Sequence, residues 1–288
     1  MVLYPEARYA NVGTNTILPT SLGKLVKLLN VPVVTINMKG NYLQSPIWNL
    51  TERKEAKLDA TIQQLLTKEK VKELSVEKIN SMIVKALDYD EYKWQYKQKM
   101  KINYEKRAEG LHIVLYKCIN CGAEYMMDSK DSKLICKHCN SIWEMSEYGK
   151  LERKGKKIHI PDWYEWERKS VKKEIDKGKY KLRCKVHIES LPNAVNFIDL
   201  GEGVLEHNEN GFNLIFTDYN EEEEKQLYFS PQSTMSIHTE CDYRNKGQCI
   251  TLSTLDNTYF IFPLEKEFNN VKIQFATEYL YESKTKKE

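Results

Sequence analysis

The chain has 288 residues, with 44 Lys and Arg against 41 Asp and Glu for a formal charge of +3, and 41% of it is hydrophobic. That balance gives no general electrostatic case for nucleic acid, though it leaves room for a local basic patch; the apolar share suffices for buried cores, and the 30% of charged residues argues against an integral membrane protein. No apolar run reaches the roughly 18 residues of a transmembrane helix, the first residues lack the pattern of a signal peptide, and seven cysteines in an unsecreted chain read as metal ligands and thiols rather than a disulfide framework.

Val2-Leu3-Tyr4 reads as a short strand stopped by Pro5, followed by a polar loop from Glu6 to Thr20. Ser21 can cap a helix that carries Leu22, Leu25, Val26 and Leu29 at helical spacing. The β-branched run Val31-Pro32-Val33-Val34-Thr35-Ile36 has no alternation, which predicts a parallel strand buried on both faces. One strand–helix–strand unit cannot cover both faces of its own sheet, so the expectation is an α/β domain whose beginning lies outside the chain. Residues 51–108 read as helical and polar. Leu58, Ile62, Leu65 and Leu66 form one apolar stripe, and Ser75 caps a second helix carrying Ile79, Met82, Ile83 and Leu87.

Cys118-x2-Cys121 and Cys136-x2-Cys139 are separated by fourteen residues. Two such knuckles let four thiolates converge on one Zn²⁺, and four protein ligands make the site closed, hence structural. Gly122 and Asn140 supply the left-handed backbone such turns need. Ile113 to Tyr116 and Leu134-Ile135 are expected as strands leading into the knuckles. His138 lies between two ligands and is expected to face solvent; Cys184, Cys241 and Cys249 show no ligand spacing and read as buried thiols.

Lys150, Arg153, Lys154, Lys156 and Lys157 form a basic stretch, read either as a solvated linker or as a patch attracted to anionic lipid headgroups. Asp162 and Glu165 are spaced close to a capping box, opening a helix with Tyr164, Val171 and Ile175 on one face. Trp163 and Trp166 on a neighbouring face read as interdomain packing, with membrane anchoring as the alternative. From about Lys181 the pattern turns to period two. Asn210-Gly211 and Asp256-Asn257 each sit between strand-like runs and predict two hairpins. Glu221 to Glu224 reads as a solvated loop, and a closing helix carries Phe268, Val271, Phe275 and Tyr279 on one stripe before a lysine-rich tail.

The block Tyr4-Pro5-Glu6-Ala7-Arg8-Tyr9, with Leu18-Pro19, Gly23-Lys24-Leu25 and Val31-Pro32-Val33-Val34, resembles the second half of the glycerolipid, lysophosphatidic-acid-acyltransferase-like family. That family carries a Phe-Pro-Glu-Gly-Thr-Arg-like block after a strand and a Val-Pro-hydrophobic block on the next. Here Ala7 replaces the glycine and Arg8 comes one place early. The zinc ribbon, the stretch Ile160-Pro161-Asp162-Trp163-Tyr164-Glu165-Trp166 and the β-rich end are similar to a bacterial subgroup with such modules appended. The motif-bearing part covers about the first fifty residues.

The resemblance implies acyl transfer from acyl-CoA or acyl carrier protein to a lysophospholipid-type glycerol phosphate in phospholipid synthesis. Glu6 and Arg8 would then hold the acceptor phosphate, the fork of arginine matching a phosphate; a simple Glu6–Arg8 pairing across a surface loop stays open beside it. The family's general base is a His-x4-Asp block, which this chain lacks, its first histidine being His112. The chain is therefore expected to be the C-terminal part of an acyltransferase and inactive alone. It is expected in the cytoplasm, peripheral at the inner membrane face, with an anionic membrane surface among its contacts and no nucleic acid. The fold class is α+β multidomain: a partial α/β acyltransferase segment over 1–50, a helical region over 51–110, the zinc ribbon over 111–147, a basic linker and helix over 148–181, and over 182–288 an antiparallel β module with terminal helix, resembling a pleckstrin-homology-like barrel. A nucleic-acid-binding zinc-ribbon protein using the ribbon, the basic stretch and the two tryptophans and a non-catalytic lipid- or protein-binding scaffold are the rival readings.

Overall fold

A computed structural model describes residues 1–218 and 223–285. Glu221 and Glu222 of the acidic run, and the last three residues of the tail, lie outside the described residues. The chain is α+β and splits into two compact units. One comprises Met1–Glu109, Lys130–Lys133 and Trp143–Pro161; the other comprises Gly110–Ser129, Leu134–Ile142 and Asp162–Glu288.

In the first unit, Val2 to Tyr4 form no strand and are exposed. Helix α1 (Leu22–Leu29) ends at Asn30 in the left-handed conformation. Strand β1 (Val33–Lys39) corrects the parallel-strand expectation. It pairs antiparallel with β2 (Asp59–Leu66), Ile36 opposite Ile62, in a two-stranded sheet. From Val34 to Lys39 the strand alternates apolar and polar residues, but with the apolar set outward: Val34, Ile36 and Met38 are exposed while Thr35 is buried. The helical stripe Leu58, Ile62 and Leu66 is likewise corrected. Spacings of four fit a strand's period of two as well as a helix, and Ile62 and Leu66 lie on β2.

The short helix α2 (Asn41–Gln44) follows β1. After β2 come α3 (Lys68–Glu73), α4 (Val76–Ala86) and α5 (Glu91–Lys97), with Thr67, Ser75 and Asp90 accepting the main-chain N–H groups of Lys70, Lys78 and Lys93. Each cap satisfies a donor that the first helical turn leaves free. Leu18, Leu22, Leu66, Val71, Ile79 and Ile83 form this unit's core.

Residues 111–114 are a helical turn, α6 (Leu111–Val114), rather than a strand. Strands β3 (Met127–Lys130), β4 (Lys133–Cys136), β5 (Ile142–Met145), β6 (Lys150–Arg153) and β7 (Lys156–His159) then follow one another in a single sheet in chain order. The basic stretch is thus a hairpin, not a linker. Glu152 pairs with Lys157 across β6 and β7, and Lys154 and Gly155 both take left-handed backbone at the tip, the geometry a two-residue hairpin turn demands. Helix α7 (Ile160–Asp176) starts two residues before the predicted Asp162, with Pro161 in the first turn where its missing N–H costs nothing.

The C-terminal strands β8 (Leu182–Ser190), β9 (Ile198–Asn208), β10 (Gly211–Asp218), β11 (Glu223–Phe229), β12 (His238–Glu240), β13 (Cys249–Ser253) and β14 (Thr258–Pro263) form one antiparallel sheet in the order β11-β10-β9-β8-β14-β13-β12. Both predicted hairpins are present, β9/β10 at Asn210-Gly211 and β13/β14 at Asp256-Asn257. Val186, Ile188, Leu205, Phe212, Leu214, Ile250 and Ile261 line the core, joined by Phe268 and Ile273. Helix α8 (Asn270–Thr285) buries Val271, Ile273, Phe275, Ala276 and Leu280. Phe268 lies just before it, and Tyr279 is only half-buried, its hydroxyl on Asp176. The helix is buried on more than one side: Ile273 faces the sheet core and Phe275 meets Tyr164 of α7 edge-on at 4.6 Å.

Candidate metal centre

The four cysteines lie in the second unit on two tight turns. Cys118 N–H donates to the Ala123 carbonyl and Gly122 N–H to the Cys118 carbonyl, each at 2.8 Å, and Cys136 N–H donates to the Ser141 carbonyl at 2.9 Å. Gly122 and Asn140 are both left-handed, as the sequence required. These turns carry all four Sγ atoms to within 4.8 Å of one another.

Cys118 Sγ lies 3.8 Å from Cys139 Sγ, and Cys121 Sγ lies 3.8 Å from Cys136 Sγ. A tetrahedron of thiolates around a metal at the Zn–S distance of ~2.3 Å has edges of about 3.8 Å, so the donor set and its spacing fit a metal ion. Around it, Asn120 Nδ2 reaches Cys139 Sγ at 3.5 Å and Ser141 Oγ lies 3.3 Å from the same sulfur. Those contacts, the Ser141 hydroxyl first, lower the Cys139 thiol to about 5, while burial raises that of Cys136. One thiolate is thus stabilised by local donors, and the others become thiolates when a cation arrives. Cys184, Cys241 and Cys249 are buried and stand in no metal-binding group among the described residues. Burial raises each to about 12, which leaves them unreactive.

Behind the first knuckle stands an ion ring for which no sequence pattern existed. Lys117 Nζ contacts Glu124 at 2.9 Å and Glu174 at 3.3 Å, and Lys272 Nζ contacts the same two carboxylates at 2.6 and 2.9 Å. Two cations and two anions alternate, every member at most about a quarter exposed. Glu167 is wholly buried and accepts the Lys117 N–H at 2.8 Å; burial pushes its carboxyl well above the carboxylate range. Trp163, also wholly buried, donates its indole N–H to the Lys117 carbonyl at 2.9 Å. Trp163 therefore packs within the second unit. Trp166 lies half-buried with Lys117 Nζ 6.0 Å from its ring centre. His112, the first histidine of the chain, sits 2.7 Å from Ser129 Oγ.

No protein-family model, curated protein or solved structure matches the chain.

In the first unit, Glu6 Oε2 accepts the Thr16 N–H at 3.0 Å and lies 3.2 Å from the Thr16 hydroxyl. Burial raises its pKa, against the Thr16 contacts and Arg8. Arg8 Nε donates to the Glu6 main-chain carbonyl at 3.1 Å, so the two residues are joined through a tight turn rather than only side chain to side chain. Between them Ala7 has φ +50°.

Proposed function

We propose that the chain serves glycerolipid acyl transfer, its Glu6–Arg8 turn holding the phosphate of a lysophospholipid-type acceptor, with zinc as the structural metal at Cys118, Cys121, Cys136 and Cys139. The conformation of Ala7 carries this reading. In the family it resembles, the residue after Pro-Glu is glycine, and Ala7 adopts at φ +50° the left-handed backbone that glycine enters freely and alanine does not. The turn keeps the glycine-type conformation without the glycine. Glu6 braces that turn through Thr16, and Arg8 supplies a forked cation beside it.

Acyl transfer needs a base worth about 10²–10⁴-fold in rate. None of the six histidines heads a His-x4-Asp block, so the part assigned to these residues is acceptor binding, with acyl-CoA or acyl carrier protein as donor to the complete reaction. Four protein thiolates leave no open coordination position, which favours a metal that folds the ribbon over one that touches substrate. The strand order of the C-terminal sheet, an eight-to-eleven meander joined through β8 to β14 and closed by α8, supports the pleckstrin-homology-like reading of that module. No helix among the described residues is long and apolar enough to cross a membrane; peripheral work at the cytoplasmic face is the reading that suits a glycerolipid acceptor.

The test is calorimetric titration of the full chain with glycerol 3-phosphate and with lysophosphatidic acid below its micelle concentration. Arg8→Ala is expected to weaken both about 10-fold or more, the loss of one hydrogen bond to a charged group, and Arg8→Lys to recover only part of it because the fork is gone. Absence of phosphate-dependent binding, or binding indifferent to Arg8→Ala, would defeat the assignment.

A further inference from the structure

The β1–β2 ribbon of the first unit turns its apolar face to solvent. Its register sets Val34 opposite Gln64, Ile36 opposite Ile62 and Met38 opposite Ala60, all on one face. Val34, Ile36, Met38 and Ile62 are 55, 58, 57 and 70% exposed, and Leu58, just beyond the ribbon's end, is 55% exposed. The opposite face carries Thr35, Asn37, Thr61 and Gln63; Thr35 is buried, and Asn37 Nδ2 donates to the Ala86 carbonyl. On β1 the polar positions are turned inward, Thr35 buried and Asn37 half-buried, while Thr61 and Gln63 of β2 are exposed; the apolar face meets water along both strands. Strand pairs ordinarily present the reverse. A two-stranded ribbon is also marginal by itself, and neither outer edge has a strand partner among the described residues.

We propose that this face is an isologous interface between two copies of the chain. Five large apolar side chains more than half exposed form a patch of several hundred Å², on the scale of ~300–600 Å² that monomers seldom exceed and that marks an interaction site. Closing two such faces removes on the order of 1,000 Å² of surface, the size at which specific association begins. A two-fold axis sets the side chains nearest it beside their own counterparts and repeats every other contact in both directions, so like charges near the centre of the face would repel each other. Positions 34, 36, 38, 60, 62 and 64 hold no charge at all. At one end Lys39 stands opposite Asp59, so a partner arriving in the two-fold orientation meets both signs.

The inference is independent of the acceptor-binding reading, because no residue of the Glu6–Arg8 turn takes part. Sedimentation equilibrium of the full chain between about 1 and 100 µM is expected to give twice the chain mass of 33.9 kDa at the upper end. Ile36→Lys and Ile36→Glu should each weaken self-association about 30-fold or more, as loss of a central contact does, with circular dichroism unchanged and the thermal midpoint unchanged at about 1 µM, where the wild type is monomeric. Mixing the two variants should restore the dimer, since the facing charges are then opposite. A wild-type chain that stays monomeric at 100 µM overturns the proposal. So does a dimer that survives both substitutions, or a monomer that instead sediments with phosphatidylcholine vesicles through the same residues.

Discussion

Replacing Lys272 by Met tests the ion ring behind the metal centre. The substitution keeps the apolar stem and removes one cation, leaving Glu124 and Glu174 to share Lys117. Breaking a buried ion pair costs about 3–5 kcal/mol because a charge is left without its partner. Here the side chains keep 14 to 26% of their exposure, so water recovers part of that loss, and ~2–3 kcal/mol is expected at pH 7, a large share of a domain's usual ~5–15 kcal/mol. Urea unfolding followed by tryptophan fluorescence measures it. Adding Glu124→Gln to Lys272→Met restores charge balance and should recover at least half of the deficit, a coupling that only neighbouring residues show. The pH dependence has a fixed sign. Burial raises the Glu124 carboxyl, and Lys272 and Lys117 outweigh it, so its pKa lies below the ordinary 4.5. Its stabilising contribution is therefore present above about that pH and is lost as pH falls through the lowered value. The gap between wild type and Lys272→Met should narrow in the same direction. A deficit under ~0.5 kcal/mol at pH 7, or one that widens in acid, would refute the reasoning.

Elemental analysis should find about one zinc per chain, and Cys136→Ser should abolish it and expose the 118–139 region to hydrogen exchange, because metal binding supplies the folding energy of such knuckles. Ala7→Gly should leave acceptor binding intact and raise stability by about 0.5–1 kcal/mol in thermal melts, as left-handed alanine gives way to a residue without a Cβ; destabilisation would mean the turn is not held as described. His207 is buried, takes the Tyr180 hydroxyl at 2.9 Å on Nδ1 and stacks on Phe212 at 3.8 Å. Burial depresses its pKa to about 3, so stability is full above the unfolded value near 6.5 and declines below it, by about 2 kcal/mol at pH 5. His207→Gln should flatten that slope, and a wild-type unfolding curve unchanged between pH 7 and 5 would count against a buried neutral imidazole.

The metal centre was legible because Cys-x2-Cys is local: the turn that joins two ligands is written within a few residues. The Asn210-Gly211 and Asp256-Asn257 hairpins were legible for the same reason, as was the Ser75 cap. The alternation of strand β1, Val34, Ile36 and Met38 against Thr35, Asn37 and Lys39, shows only when the run is followed past Ile36, whereas the stretch Val31 to Ile36 alone reads as unbroken; β2 hides because spacings of four suit both periods. The basic hairpin hid behind its charge, its Lys154-Gly155 turn passing for part of a lysine run. The ion ring had no signature at all, since Glu124 and Lys272 are 148 positions apart and each looks like an ordinary surface charge until the fold brings them together. Half-buried Glu6 and Arg8 were picked out by resemblance alone; their bracing by Thr16, ten residues on, needed the structure.

The second unit draws its chain from three separate stretches, with the knuckles in the first two and α8 at the far end of the third. During synthesis Lys117 and Glu124 therefore leave the ribosome long before Lys272. At ~5–20 residues per second the interval is on the order of ten seconds, and in that time Lys117 and Glu124 have only each other as partners at the first knuckle, the ring being closed only when Lys272 arrives. A metal captured early would hold the knuckle's shape through this wait, before the last member of the ring behind it has been made.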